Sequence, residues 1–134
     1  MIGRNNAFLS SADRDAGLAS KIGAVPENSG LKLWEPFKHL RPGKIVRQAI
    51  RRAADQSSAL VLIIGSPSAD DSGWLSYEIG MFDALDKPVF VLAPNTFTLS
   101  DLPVDFRSNH VRTFDPCMPE PVARSVATDL LAAS

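Results

Sequence analysis

The sequence predicts an α/β protein with an open parallel sheet of about five strands and helices on both faces. Three observations carry this expectation. Short apolar runs alternate with helical patterns from one end of the chain to the other, and parallel neighbours need such crossover connections. The run Ala59-Leu60-Val61-Leu62-Ile63-Ile64 is apolar at every position, as befits a strand covered on both faces. The 134 residues can bury roughly two thirds of the surface that the open chain exposes, so the expectation is one domain over residues 1–134.

Each element follows in order. Ala7-Phe8-Leu9-Ser10-Ser11 is an apolar run ending in hydroxyls, and Ala12-Asp13-Arg14-Asp15 supplies acids suited to the first turn of a helix. Leu18, Ala19 and Ile22 form that helix's apolar stripe, which Pro26-Glu27-Asn28-Ser29-Gly30 is expected to break. Leu31-Lys32-Leu33-Trp34 alternates like a short strand, and a polar, kinked loop follows over 35–44. Ile45, Val46, Ala49, Ile50 and Ala53 share one helix face, with Arg47, Gln48, Arg51 and Arg52 on the other. The run at 59–64 is the central strand. Beyond Gly65-Ser66-Pro67-Ser68 and Asp70-Asp71-Ser72-Gly73, a helix is expected over about 74–85. Lys87-Pro88 leads to a buried strand, Val89-Phe90-Val91-Leu92. Residues 95–107 are mostly irregular by pattern. A last strand near 110–114 precedes a closing helix over about 119–133, with Val122, Val126, Leu130 and Leu131 inward. There is no internal repeat and no low-complexity linker.

Composition excludes several classes. Fourteen basic against fifteen acidic residues give a net charge of −1, which does not favour a polyanion, so no nucleic-acid partner is expected. No run approaches a membrane span, and the first residues lack the apolar stretch of a signal peptide, so the expectation is a soluble, cytoplasmic protein. Cys117 is alone, and His39 and His110 are far apart. An intrachain disulfide and a CxxC metal or redox site are thereby excluded, and no metalloenzyme is expected. There is no GxGxxG. Gly43-Lys44-Ile45 fails as a phosphate loop, because position 38 is Lys and position 45 is neither Ser nor Thr. Gly65-Ser66-Pro67 fails as a nucleophile elbow, because proline has no N–H to offer an oxyanion.

In sheets of this kind ligands bind beyond the carboxyl ends of the strands, where strand order reverses. Ser10, Ser11, the loop from Trp34 to Lys44 and the stretch from Ser66 to Glu78 are therefore the residues of interest. Within the last of these, Trp74 and Glu78 stand one helical turn apart, on a stripe that Met81 and Leu85 continue toward the core. An acid on a partly apolar stripe needs an explanation. The ordinary one is a boundary residue whose carboxylate reaches water or a backbone N–H, with Trp74 as packing.

In combination the motifs say more. Ala7-Phe8-Leu9-Ser10-Ser11-Ala12-Asp13-Arg14-Asp15 resembles the first motif of Toll/interleukin receptor (TIR) domains. Leu40-Arg41-Pro42-Gly43 is similar to the turn in their long loop after the second strand. Leu62-Ile63-Ile64-Gly65-Ser66-Pro67, then Ser72-Gly73-Trp74-Leu75-Ser76-Tyr77-Glu78-Ile79-Gly80, then Lys87-Pro88-Val89, resembles the strand, S-P, S-x-W-x-x-x-E helix and K-P strand of bacterial and plant members. The resemblance runs in order over residues 7–92, and the closing helix suits the same flavodoxin-like domain. Ser11 stands where an aromatic is common, and Arg41 where several active members carry an acid.

What the resemblance implies is an enzyme that cleaves NAD+ to nicotinamide plus ADP-ribose or a cyclic isomer, in bacterial anti-phage signalling, activated by self-assembly. By the same resemblance Glu78 is the catalytic carboxylate. Ser10, Ser11, Trp34, Arg41, Ile45, Ser66, Trp74 and Tyr77 are the substrate-binding candidates. Strand-end capping is the plainer role for Ser10, Ser11 and Ser66, core packing for Trp34 and a solvated basic loop for Arg41. NAD+ is the substrate, no cofactor is required, and the implied partners are other TIR domains in a homo-oligomer or filament, with a fused or separate sensor or effector. Two alternatives stand beside it: a TIR interaction module without catalysis, and an enzyme like the nucleoside deoxyribosyltransferases.

Overall fold

A computed structural model describes residues 6–11, 15–28, 30, 32–34, 46–65, 72–98 and 110–132. The described elements run β1 (Asn6–Ser11), α1 (Ala16–Asn28), β2 (Lys32–Trp34), α2 (Val46–Gln56), β3 (Ala59–Ile63), α3 (Ser72–Ala84), β4 (Val89–Pro94), β5 (His110–Phe114) and α4 (Glu120–Ala132). The five strands form one sheet in the order β2-β1-β3-β4-β5, and every pairing is parallel. The fold is the expected α/β, flavodoxin-like one. Strand order reverses between β1 and β3, whose register sets Ser10 against Leu62 and Ser11 against Ile63.

The sheet separates two apolar layers, because successive strand residues point to opposite faces. Ala7 and Leu9 of β1 join Val61, Ile63, Phe90 and Leu92 on the side covered by α1 and α4, through Ala19, Ile22, Ala123 and Val126. Phe8 joins Leu60, Leu62, Val89 and Val91 on the side covered by α2 and α3, through Ile50, Ala53, Ile79 and Phe82. Strands β3 and β4 are buried along their whole length, which is why their residues are apolar without alternation.

Three local expectations change. Pro26 does not end α1, which continues to Asn28; a proline in the last turn removes one hydrogen bond without preventing the turn. Gly30, at φ 97°, supplies the left-handed backbone beyond it. Asp15 is not in the first turn of α1 but directly precedes the helix, and its carboxylate is engaged elsewhere. Helix α3 begins at Ser72, before Trp74, and ends at Ala84. Asp86 adopts φ 58°, while the Asp86 N–H donates to Asp83 O and the Lys87 N–H to Phe82 O, both at 3.0 Å, a Schellman closure with aspartate in the left-handed position. Residues 35–45 and 66–71, which hold the kinked loop and the S-P turn, lie outside the described residues.

Candidate functional site at the strand-order reversal

Strand order reverses beside β1, the second of the five strands, so its last two residues stand at the reversal point. Alternation along β1 places Ser10 on the Phe8 side, facing α2 and α3, and Ser11 on the opposite side. Both are buried. Among the described side chains of α3 the buried ones are Glu78, Ile79 and Phe82, while Met81 is half-buried and Leu85, just past the helix, is 38% exposed. The expected stripe through Met81 and Leu85 is therefore rotated. α3 lies on the sheet through Ile79 and Phe82, which carries Glu78 from the helix boundary to its inner face. Glu78 has no exposed surface, and the reading in which its carboxylate reaches water is corrected accordingly.

Inside, the Ser10 hydroxyl donates to Glu78 Oε1 at 2.5 Å. Oε2 is buried and has no hydrogen-bond partner among the described residues. Burial pushes the Glu78 carboxyl up to about 7, and the Ser10 hydrogen bond pulls in the opposite direction, because desolvation penalises the charge that the hydroxyl stabilises. A buried oxygen without a partner costs free energy, and such groups in native structures call for an explanation in terms of strain, catalysis or an absent ligand.

The exits of β1 and β3 at the reversal point are also tied to each other. Asp15 is nearly buried, and its Oδ2 accepts from the Gly65 N–H at 3.1 Å, linking the exit of β1 to the exit of β3. A Cβ on residue 65 would stand 2.3 Å from Asp15 Oδ1, so glycine is required for the carboxylate to lie against this backbone. Sequence reasoning did not pair these residues: it read Asp15 as a helix-start acid and part of the first TIR-like motif, and Gly65 as part of a failed elbow and of the strand and S-P motif. The available signal was a glycine directly after an unbroken apolar strand, opposite an acid after the neighbouring strand.

Of the other candidates, Trp34 is half-buried, with its ring centroid 4.8 Å from that of Phe8. Phe8 in turn meets Phe82 edge-on at 5.5 Å, so Trp34 extends the aromatic packing on the Glu78 side of the sheet. Tyr77, also half-buried, lines a separate groove of about 530 Å³ with Arg51 and Asp55 of α2 and Met81 and Leu85 nearby. It is Glu78's neighbour in sequence but lines a different space. Trp74 lies in α3, with only its backbone described, while Arg41, Ile45 and Ser66 lie outside the described residues. Ser10 and Glu78 are thus the candidates that the structure brings into contact.

No family model matches the chain, and no curated protein matches it in sequence. Solved structures do match its fold. It is similar to a 2-deoxyribosyltransferase from the psychrotolerant bacterium Bacillus psychrosaccharolyticus, with TM-score 0.65 and 19% identity over 82% of this chain and 85% of that one. It is also similar to a metazoan TIR-STING receptor from C. gigas, with TM-score 0.67 and 18% identity over 92% of this chain and 39% of that longer one. A conserved protein from Enterococcus faecalis matches with TM-score 0.66 and 11% identity over 92% and 98%. At these identities the likeness concerns the fold, which a TIR-containing receptor and a nucleoside-transferring enzyme share with this chain. No helix among the described residues is long and apolar enough to cross a membrane.

Proposed function

We propose that the chain is a TIR-type enzyme that cleaves the nicotinamide–ribose bond of NAD+, with Glu78 as its catalytic carboxylate. The observation that carries this reading is the fully buried Glu78 at the strand-order reversal, tied to Ser10 through one oxygen and unpartnered at the other among the described residues. The fold likeness to a TIR-STING receptor and to a 2-deoxyribosyltransferase supports it.

The chemistry suits a single carboxylate. Glycosidases that expel an alcohol need a second group to protonate the leaving oxygen. The nicotinamide ring of NAD+ is already cationic. When its C–N bond breaks, the electron pair goes to the ring nitrogen and nicotinamide departs neutral, so no general acid is required. Ionised Glu78 then accepts from ribose hydroxyls and faces the oxocarbenium charge as it develops, in a site where low polarity strengthens the attraction. Water attacking the ribose carbon gives ADP-ribose and a proton. An acceptor within the same molecule gives a cyclic product. Assembly with other copies, a sensor coupled to the domain, and a place in cytoplasmic defence signalling belong to the same proposal.

The test is nicotinamide release from NAD+ by the wild-type chain beside Glu78→Gln, in dilute solution and on beads that force copies together. Release by the wild type and a loss of at least about a hundredfold in the variant is the expected result. Equal rates would overturn the assignment of Glu78. Exchange of bases between deoxynucleosides without nicotinamide release would favour the transferase reading, and partner binding with neither reaction under any condition would favour a non-catalytic module.

A further inference from the structure

We propose that Ser10 is a positioning residue, which commits its only proton to Glu78 Oε1 and thereby presents Oε2 as the open acceptor for a ligand hydroxyl. The inference rests on the reading of Glu78 as the site carboxylate and assigns Ser10 a role other than direct substrate binding. A serine hydroxyl has one hydrogen to donate. In the structure that hydrogen goes to Glu78 across a separation of 68 residues, at 2.5 Å and out of reach of water, a length typical of a hydroxyl bonded to a charged acceptor. The donor sits on a rigid support: β1 is an interior strand, and Ser10 is in register with Leu62 of β3. The acceptor is a long side chain with several rotatable bonds. Removing the hydroxyl frees the carboxylate to turn and removes a bond made to its charged form.

No other charge competes for this role among the described residues. β1, β3 and β4 carry no titratable side chain. On α2, Arg51, Arg52 and Asp55 are exposed, and on α3 Tyr77 lies in the separate groove while Asp83 is exposed. The influences acting on the Glu78 carboxyl are its burial and Ser10.

The experiment is an infrared titration of the protonated carboxyl of Glu78 in the intact chain without ligand, isolated by difference against Glu78→Gln. Ser10→Ala is expected to move the midpoint up by roughly one pH unit, and Ser10→Thr to restore it. If Ser10→Ala fails to fold, Ser10→Cys retains a side chain of similar shape with a weaker donor and must still raise the midpoint. An unchanged or lowered midpoint in the folded variant overturns the proposal. In NAD+ turnover the acid limb of the pH profile should move with the midpoint and the loss should fall on kcat; a rise in KM alone, with the limb unmoved, would make Ser10 a direct binding residue. Because the titration needs no substrate, failure of NAD+ cleavage would overturn the functional reading while leaving this one to be decided separately.

Discussion

Glu78 is a stability burden that an ordinary core residue would not impose. Its carboxyl rises from 4.5 to about 7 on folding, so between those values the folded chain holds a proton that the unfolded chain releases. The contribution of Glu78 to stability is therefore greatest below about pH 4.5, falls as pH rises through the window to about 7, and is level above it, a total of about 3 kcal/mol. Glu78→Gln fixes a neutral side chain in the same place. Relative to the wild type it is expected to gain up to about 3 kcal/mol near pH 8 and little near pH 4.5, measured by chemical denaturation; a difference that does not vary with pH would refute the buried charge. Activity runs the other way. If the ionised form is the working one, turnover of NAD+ falls as pH drops through about 7, and a profile flat down to about pH 5 would count against it. The residue was legible in the sequence as an acid on an apolar stripe. Its depth was not, because that depends on a rotation of α3 which Ile79 and Phe82 decide through packing.

The end of α2 shows how distant parts of the chain complete a helix that has no basic residue in its last turn. The Ala53 carbonyl accepts from Ser57 Oγ at 2.7 Å. Lys87 Nζ donates to the Ala54 and Asp55 carbonyls at 2.7 and 2.9 Å, and Asn6 Nδ2 reaches the Gln56 carbonyl. All four terminal acceptors are thus occupied, with a cation placed at the negative end of the helix. Burial lowers the Lys87 pKa, and the Asp55 charge offsets part of that. The lysine of the K-P motif therefore has a structural role of its own, fastening α2 to the turn between α3 and β4. Lys87→Met keeps the stem and loses both hydrogen bonds. It should cost about 1–2 kcal/mol in denaturant unfolding while sparing catalysis; no change in stability would mean that water replaces the ammonium without loss.

Across the molecule, the order of elements was readable because each interior strand is covered on both faces and each helix shows one apolar side. Periodicity of that kind carries no information about which distant residues meet. Ser10 with Glu78, and Asp15 with Gly65, are joined by strand order and by the face to which each strand residue points. Both pairs therefore emerge only when β1 is set beside β3. The same sheet bears on how copies of the chain can associate. One border is β2, only three residues long. The other is β5, where Arg112 is held by Asp129 and Ser125 of α4 and lies over the Phe90 ring. A three-residue border and a charged one are poor templates for a foreign strand. An assembly of the proposed kind would then have to be built through helices and loops, and dilution would take it apart again, whereas a cross-β fibre would persist.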